Sequence, residues 1–375
     1  MREGVVMDIY DRLGVKKIIN AMGTVTKLGG SLMDSSVFDA MAEAGKAFVD
    51  INDFHEKASA YIARMLQVEA ACITSGASAG IAISAAACIA GTCRANILQL
   101  PDTTGMKNEI LMLKSHRIVY DQALQLSGAK IVEIGYTSFN CIEMVEKAIT
   151  DRSAMFFYCA EAAETRGSIP LEELIAVTKP AGIPMVVDAA AEIPPVAHIT
   201  SYLQQGADAV IFSGGKEIRG PQSSGLILGN ASLIEACSMN CSPNHSIGRS
   251  MKVDKETIAG IVRAVEVFTH HDYDAQTGVW MEQVQRIHAQ CLEVKTIEGS
   301  VGFPTQPGIQ PRGIPRFYFG VKGKNSKEIQ EKLRTGEPSI HAGIEHGFVA
   351  INPQCLKEHE IEVVINAIRN LGHAD

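Results

Sequence analysis

The stretch from residue 206 to residue 229 constrains the fold more than any other part of the chain. Residues 209–212 form an apolar run with the length and β-branched content of a buried strand, and a Ser-Gly-Gly turn separates this run from Lys216. A second apolar run, residues 225–229, follows a Gly-Pro turn. A lysine at the mouth of a buried strand pair is poorly placed as a surface charge. It is well placed as an amine whose pKa is lowered by desolvation, which is what a Schiff-base lysine needs.

A single acid ends another predicted buried strand, upstream of this lysine. Residues 184–187 are apolar, and Asp188 follows them directly. Pyridoxal phosphate (PLP) chemistry needs a lysine that holds the aldehyde and an acid that keeps the ring nitrogen protonated, so that the ring accepts electrons. The pairing of Asp188 with Lys216 therefore predicts a PLP site. The structural alternatives are a helix-capping or turn role for Asp188 and a surface role for Lys216.

A turn of small residues, Ser75-Gly76-Ala77, lies between a predicted strand at 70–74 and an Ala/Ile-rich helix at 81–90. Small side chains let backbone N–H groups approach a phosphate, and a helix N-terminus adds partial positive charge. Such a turn is weak evidence when taken alone. Because the aspartate and the lysine follow it downstream, we predict that it binds the cofactor phosphate.

Strands and helices alternate between residues 70 and 229, which predicts a mostly parallel sheet with helices on both faces. Ligands of such sheets bind at the carboxyl ends of the strands. Asp188, Ser213 and Lys216 fall at such ends, and His116 is predicted to end a strand that begins near residue 111. The ring of His116 could stack on a cofactor ring, and an exposed loop histidine is the alternative. A polar turn at 160–167 follows another predicted strand and is expected to reach the cofactor or the substrate.

We predict three segments: an N-terminal segment at 1–40, a large PLP-binding domain at 41–270, and a linking helix with a small C-terminal α/β domain at 271–375. In the first segment, Asn20 and Thr24 either face a substrate or belong to an ordinary loop. The polar stretch at 244–255 carries two cations that could contact a substrate, and a solvated loop is the alternative. These two cations are Arg249 and Lys252.

Composition and charge exclude several classes of protein. A net charge of −8 and a pI near 5.8 argue against a nucleic-acid partner, because phosphate neutralisation needs a basic face. No charge-free apolar run is long enough for a membrane span, and the first residues lack the pattern of a signal peptide. The nine cysteines are scattered without a CxxC pair, so we expect reduced thiols in a cytoplasmic protein. His341 and His346 have no ligand partners at suitable spacing, so no metal site is expected.

Three stretches resemble one enzyme family. Residues 212–216 together with 220–222 are similar to the cofactor-lysine motif of bacterial selenocysteine synthase (seryl-tRNA selenium transferase). Residues 20–24 and 248–256 resemble other signatures of that group. The likeness covers nearly the whole chain. It is closest to the shorter branch of these fold-type-I PLP enzymes, which includes D-glucosaminate-6-phosphate ammonia-lyase.

The resemblance implies roles for individual residues. It makes Lys216 the lysine that carries the cofactor, places Asp188 under the pyridine nitrogen, packs Ala190 against the ring and stacks His116 on the ring face. It assigns the cofactor phosphate to a set of small residues, namely Ser75, Gly76, Ala77 and Ser213. Fold-type-I sites are commonly built at a dimer interface, so a homodimer or a higher homo-oligomer is expected.

Two departures from the family pattern bear on the substrate. The tRNA-dependent enzymes carry an additional N-terminal tRNA-binding region, whereas this chain begins almost at the cofactor domain; with its acidic balance, we expect no tRNA substrate. Many fold-type-I enzymes use an arginine of the small domain to bind the α-carboxylate of the substrate. The corresponding place here carries His341, and Arg316 or Arg334 could take that role.

The resulting hypothesis is a PLP-dependent ammonia-lyase for a hydroxylated amino acid or an amino sugar acid such as D-glucosaminate 6-phosphate. Lys216 would abstract the α-proton, a β-hydroxyl would leave, and hydrolysis would give a 2-oxo acid and ammonia. Arg249 and Lys252 would bind the substrate phosphate. An aminotransferase, a racemase and a selenium or sulfur transferase would use the same residues. Alternatives from other classes are a catalytically silent PLP-binding scaffold and a nucleotide-binding Rossmann protein, although the chain lacks the GxGxxG fingerprint of the latter.

Overall fold

A computed structural model describes residues 7–305 and 308–373, so the outermost residues of the predicted segments 1–40 and 271–375 lie outside the described residues. The chain divides into two compact units. The large unit comprises residues 29–273 and 305–312, and the small unit comprises residues 1–28, 274–304 and 313–375. The domain boundaries at 40 and 270 stay predictions.

The described residues contain twelve strands and fourteen α-helices. The strands are β1 (Ile18–Ala21), β2 (Ala70–Thr74), β3 (Glu109–Leu113), β4 (Lys130–Ile134), β5 (Ser153–Cys159), β6 (Met185–Asp188), β7 (Ala209–Ser213), β8 (Gly225–Gly229), β9 (Ile297–Gly302), β10 (Arg316–Val321), β11 (Ser339–Glu345) and β12 (Phe348–Ile351). The helices are α1 (Ile9–Leu13), α2 (Ser35–Ala44), α3 (Ile51–Leu66), α4 (Ala77–Ala90), α5 (Arg94–Gln99), α6 (Gln122–Gln125), α7 (Ile142–Ala148), α8 (Leu171–Thr178), α9 (His198–Gln204), α10 (Ala231–Asn240), α11 (Lys255–His270), α12 (Tyr273–Cys291), α13 (Ser326–Thr335) and α14 (Glu358–His373).

The large unit is built on a seven-stranded sheet with the order β2-β8-β7-β6-β5-β3-β4. Strands β3 to β7 run parallel to one another, and β8 runs antiparallel to both β7 and β2. The predicted mostly parallel sheet is therefore confirmed. Among the described residues, none of the helices is both long and apolar enough to cross a membrane.

Both faces of this sheet are covered, which explains why its strands are apolar without interruption. Val187 and Phe212 belong to the core on one face, whereas Val186 and Ile211 belong to the core on the other face. Alternate side chains of a strand point to opposite faces, so the apolar residues of β6 and β7 are buried on both faces. Burial of each such side chain contributes roughly 1.5–3 kcal/mol relative to exposure.

The strand register brings several strand ends to one edge of the sheet. Thr74 of β2 pairs with Gly225 of β8, and Gly225 pairs with Ser213 of β7. On the other side, Asp188 of β6 pairs with Cys159 of β5. The carboxyl ends of β2, β5, β6 and β7 therefore lie along a common edge. The residues that follow these ends are the ones from which a site can be built.

One predicted strand boundary near this edge is wrong. Strand β3 ends at Leu113, and His116 lies in a short 3₁₀ turn rather than at the end of the strand. Side-chain hydrogen bonds stabilise this turn, because Ser115 Oγ donates to the Gly167 carbonyl and His116 Nδ1 accepts the Cys159 N–H. Such bonds offer the backbone an alternative to the strand ladder.

The small unit has a five-stranded sheet with the order β1-β11-β12-β10-β9. Strand β1 pairs in parallel with β11, so the beginning of the described chain completes a sheet formed by its end. The core of the small unit contains Ile19 of β1, Phe317 of β10, Ile340 of β11 and Ile365 of α14. This unit therefore depends on residues more than three hundred positions apart in the sequence.

Candidate active site

The turn after β7 fixes the position of Lys216. The N–H of Gly214 donates to the Ser224 carbonyl at 2.8 Å, and the N–H of Gly220 donates to the Gly214 carbonyl at 2.8 Å. A Cβ at Gly214 would overlap the side chain of Ser224, so glycine is required there by close packing. Lys216 is half-buried at the end of this tightly bonded turn.

Burial dominates the electrostatics of Lys216. It lowers the pKa of the amine, while Asp188, Glu161 and Glu192 act in the opposite direction. The net shift is downward, so a larger fraction of the amine is neutral at a given pH than for a lysine in water. A neutral amine is the form that attacks an aldehyde and abstracts a proton.

Asp188 is buried at the end of β6 and has one oxygen available. Its Oδ1 accepts the N–H of Ala190 at 3.1 Å. Among the described residues, this is the one hydrogen bond to the carboxyl group. Burial raises the pKa of Asp188, against the smaller effects of that hydrogen bond and of Lys216. A cationic N–H donor beside the carboxyl would stabilise its charged form. The environment therefore fits a protonated pyridine nitrogen.

The turn before α4 has no side-chain cap at the helix N-terminus. Gly76 caps the helix with φ +131°, a conformation that favours glycine. The first N–H groups of a helix lack partners within the helix, so they are available to a phosphate. Ser75 and Ala77 are partly exposed, and a Cβ at Gly225 would lie 2.5 Å from the carbonyl carbon of Gly76. Strand β8 therefore approaches this turn closely.

The register described above links this turn to Ser213. Ser213 is half-buried. Gly225 of β8 pairs with Ser213 on one side and with Thr74, the last residue of β2, on the other side. The N–H of Ser213 also donates to the Ala190 carbonyl at 3.4 Å. The predicted cofactor residues on β2, β6 and β7 are thus brought together at one edge of the large unit.

His116 is held in a closed environment. Its Nδ1 accepts the N–H of Cys159 at 3.2 Å, so the ring proton is on Nε2, which donates to Ser168 Oγ at 2.8 Å. Tyr158 packs edge-on against the ring, and burial lowers the pKa of His116 to about 4. The ring is neutral with 0% exposed surface. Stacking on a cofactor ring stays a prediction, and it would require neighbouring side chains to move.

Two further carboxyl groups contribute to the electrostatics around Lys216. Burial raises the pKa of Glu161, and burial followed by repulsion from Glu161 and Asp188 raises the pKa of Glu192 to about 7. Glu161 lies in the polar turn that the sequence placed near the site. Glu192 was missed, because its only local signal is an acid four residues after a strand-terminal aspartate.

Arg249 and Lys252 lie in the large unit, in the segment between α10 and α11. Both side chains are exposed, and neither forms an ion pair with another described residue. Their contact with a substrate phosphate stays a prediction.

Asn20 and Thr24, two of the predicted substrate residues, belong to the small unit. The carboxamide of Asn20 closes a turn, since Nδ2 donates to the Gly23 carbonyl at 2.9 Å and Oδ1 accepts the Met22 N–H at 3.0 Å. Thr24 is half-buried just after this turn. Asn20 is also the register partner of His341 on β11. These positions leave substrate contact by Asn20 and Thr24 as a prediction.

Arg316 is almost fully buried at the start of β10. Its Nη1 donates to the Ile314 carbonyl at 2.8 Å, and its Nε lies 3.6 Å from Glu345 Oε1. Burial lowers the pKa of this guanidinium. Part of its binding capacity is therefore used within the small unit, and a role in binding the substrate carboxylate stays a prediction.

Comparison with known proteins connects this geometry to a family. The family described as "SelA: L-seryl-tRNA selenium transferase" matches residues 18–296, which is most of the chain. The chain belongs to this family. The resemblance predicted from the sequence is thereby confirmed.

Two curated relatives match this chain over almost its whole length. D-glucosaminate-6-phosphate ammonia lyase of Salmonella typhimurium (strain 14028s / SGSC 2262) is 32% identical over 97% of this chain and 98% of the relative. A 5'-C-glycyluridine monooxygenase-decarboxylase of a Streptomyces species is 31% identical over 96% of this chain and 91% of the relative. Their names denote different reactions.

A solved structure of D-glucosaminate-6-phosphate ammonia-lyase superposes with a TM-score of 0.86 at 31% identity, covering 98% of this chain and 99% of that chain. The fold-type-I architecture predicted from the sequence is confirmed.

Proposed function

We propose that this protein is a PLP-dependent ammonia-lyase that acts on a hydroxylated amino acid or amino sugar acid, with D-glucosaminate 6-phosphate as the representative substrate. The observation that carries the proposal is the common sheet edge, where a lysine of lowered pKa, a buried aspartate and an uncapped helix N-terminus follow neighbouring strand ends. The relative from Salmonella supports the choice of reaction, because it is similar over its whole length.

The residues of this edge fit PLP. Lys216 would hold the aldehyde carbon, and Asp188 would hold the proton of the ring nitrogen. The backbone of Ser75, Gly76 and Ala77 would bind the phosphate together with Ser213, and Ala190 would pack against the ring. When bound, PLP supplies the electron sink that stabilises negative charge at Cα of the substrate.

The chain's own groups would perform the proton transfers. Lys216 takes the proton from Cα, which its lowered pKa favours because the amine is neutral when the substrate arrives. Lys216 then returns this proton to the β-hydroxyl, whose C–O bond breaks, so that the hydroxyl leaves as water. Arg249 and Lys252 orient the substrate through its phosphate charge. Hydrolysis of the released product gives a 2-oxo acid and ammonia.

An assay with matched lysine variants tests the proposal. Purified, PLP-loaded protein is incubated with D-glucosaminate 6-phosphate, and ammonia is measured over time. Lys216→Ala should reduce the rate by about 10²- to 10⁴-fold, the range for loss of a general base, and should remove the visible absorbance of lysine-bound PLP. Lys179→Ala changes an exposed lysine after α8 and should have no effect. An unchanged rate in Lys216→Ala would overturn the proposal.

The Streptomyces relative supplies a second candidate function, an oxygen-dependent decarboxylation, because its identity of 31% nearly equals that of the lyase. The two reactions differ in their need for oxygen. The proposed lyase should release ammonia at the same rate in an anaerobic chamber and should release no carbon dioxide. Ammonia release that stops without oxygen would favour the second candidate.

We also propose that the protein is a cytoplasmic homodimer or higher homo-oligomer. Large apolar side chains of residues 32–49 are exposed in the large unit, including Leu32, Phe38 and Phe48. Exposed apolar patches on globular proteins commonly mark interfaces. Light scattering should give a mass above that of the single chain, and replacing Phe48 by Ser should shift the protein toward a smaller species.

A further inference from the structure

Three soft side chains converge in the large unit at a place that the proposed reaction does not use. His55 comes from α3, Cys72 from β2, and Cys241 from the residue directly after α10. One potential ligand atom of each lies within 4.8 Å of the others. Cys72 and Cys241 are 0% exposed, and His55 is 8% exposed.

We propose that His55, Cys72 and Cys241 bind a soft, thiophilic cation, with Zn²⁺ as the ion of choice. Thiolates and an imidazole form the donor set that selects Zn²⁺ over hard cations such as Mg²⁺. Two thiolates also neutralise a divalent cation, so a buried complex with a neutral imidazole carries no net charge. A water molecule or a backbone carbonyl would complete the four ligands of zinc.

The imidazole is already held as a zinc ligand would be. His55 Nε2 lies 2.7 Å from the Ile73 carbonyl oxygen, and because a carbonyl only accepts, the ring proton is on Nε2. The other nitrogen, Nδ1, then carries the lone pair of the neutral ring. Histidine ligands of metals usually donate their second N–H to a carbonyl or carboxylate in this way.

Both thiols lie near the carbonyl oxygen that His55 Nε2 also contacts. Cys241 Sγ lies 3.7 Å and Cys72 Sγ lies 3.8 Å from the same Ile73 oxygen. A thiolate is the form that binds a metal.

The place of the cluster gives the cation a structural consequence. Cys72 lies three residues before Ser75, where the phosphate-binding turn begins, and Cys241 begins the segment that carries Arg249 and Lys252. A bound cation would tie α3 to both. The expectation that it strengthens PLP binding rests on the proposed function, whereas binding of the cation itself does not.

Metal analysis of the full-length protein tests the proposal. Protein incubated with Zn²⁺ and then desalted should retain about one zinc per chain by elemental analysis. The melting temperature should rise with Zn²⁺ and fall with a chelator. Cys72→Ser and Cys241→Ser should each lose the zinc. Cys237→Ser is the matched control, because it removes another fully buried thiol of α10 that lies outside the cluster, and it should retain the zinc.

A second measurement avoids dependence on the variants, which could fold poorly. Wild-type protein loaded with Co²⁺ should show the charge-transfer absorbance of thiolate-bound cobalt, and Zn²⁺ should displace it. Folded wild-type protein that retains no zinc and shows no such absorbance would overturn the proposal. So would a Cys72–Cys241 disulfide found in freshly purified protein. None of these readouts depends on ammonia release, so failure of the zinc site and failure of the proposed function are distinguishable.

Discussion

Burial is the largest effect on the pKa values of the ionisable groups around Lys216. Charge opposes it at Lys216, whereas repulsion from Glu161 and Asp188 adds to it at Glu192. Burial lowers the pKa of Lys216 and raises those of Asp188 and Glu192. All three groups are thus shifted toward their neutral forms. A cofactor that brings a protonated ring nitrogen and a phosphate would change this balance, because it supplies charges that the large unit can accommodate.

Asp188→Asn should retain the shape of the side chain and remove its charge. We expect turnover to fall by about 100-fold or more, since the charge that stabilises the ring proton is lost. The fold should persist, because the asparagine oxygen can still accept the Ala190 N–H. Steady-state ammonia release and circular dichroism check both points. Turnover that equals wild type would exclude the assigned role of Asp188.

Glu192→Gln should change the pH dependence of stability in cofactor-free protein. The folded-state pKa of about 7 lies above the ordinary value of 4.5, so folded protein holds this proton across that window. The free energy of unfolding therefore falls as pH rises from 4.5 through 7, and the loss persists above 7. The variant should be more stable than wild type at pH 8 by about 1–3 kcal/mol, and equal to it near pH 4.5.

Urea unfolding at both pH values measures this effect. Glu173→Gln changes an exposed acid in the first turn of α8 and is the matched control, for which we expect the wild-type pH profile. An identical profile for Glu192→Gln and wild type would show that the carboxyl group is not held protonated by burial.

At the scale of elements, the start of α4 carries the phosphate-binding proposal. Gly76→Ala places a side chain at φ +131°, which costs about 1–3 kcal/mol of backbone strain and distorts the N–H groups of the turn. Gly182→Ala is a matched control, because Gly182 also has a positive φ and open space around its Cβ position. Both variants should lose stability, and only Gly76→Ala should bind PLP more weakly. Equal PLP affinity in the two variants, measured by titration, would contradict the assignment.

Strands of the large sheet could be predicted from the sequence because helices cover both faces of the sheet. Such strands are continuous apolar runs. Strands β2 and β8 have the predicted bounds, and β6 and β7 differ from the predicted runs by about one residue. Strand β9 was missed because it reads Ile-Glu-Gly-Ser-Val-Gly, with two glycines and mixed burial. Strand β11 was missed as well, since its end is polar and its strand character depends on pairing with β1 and β12.

The site also combines features that follow from local sequence with features that depend on contacts distant in sequence. Lys216, Asp188 and the turn at 75–77 could be placed together because parallel strands share a carboxyl edge. Glu192 could not be predicted, because its raised pKa depends on burial and on Glu161, which lies in another loop. The His55–Cys72–Cys241 cluster joins residues far apart in sequence, and no spacing rule reveals it.

At the scale of the whole molecule, the small unit depends on both ends of the chain. A chain that starts at residue 29 lacks β1 and loses the buried side chains of Ile19 and Ala21. We expect faster proteolysis within residues 313–373 and a lower melting temperature. A chain that starts at residue 15 retains β1 and is the control, with wild-type resistance expected. Equal resistance of both truncated chains would show that β1 contributes little.

The stoichiometry of ammonia and 2-oxo acid distinguishes an ammonia-lyase from an aminotransferase. PLP-loaded protein, D-glucosaminate 6-phosphate and an anaerobic buffer without any 2-oxo acid acceptor are combined, and ammonia and 2-oxo acid are quantified in the same samples. We expect equal amounts of the two products, which accumulate with time and are absent with Lys216→Ala. A 2-oxo acid formed without free ammonia, with the nitrogen retained on the cofactor, would contradict the lyase and indicate an aminotransferase.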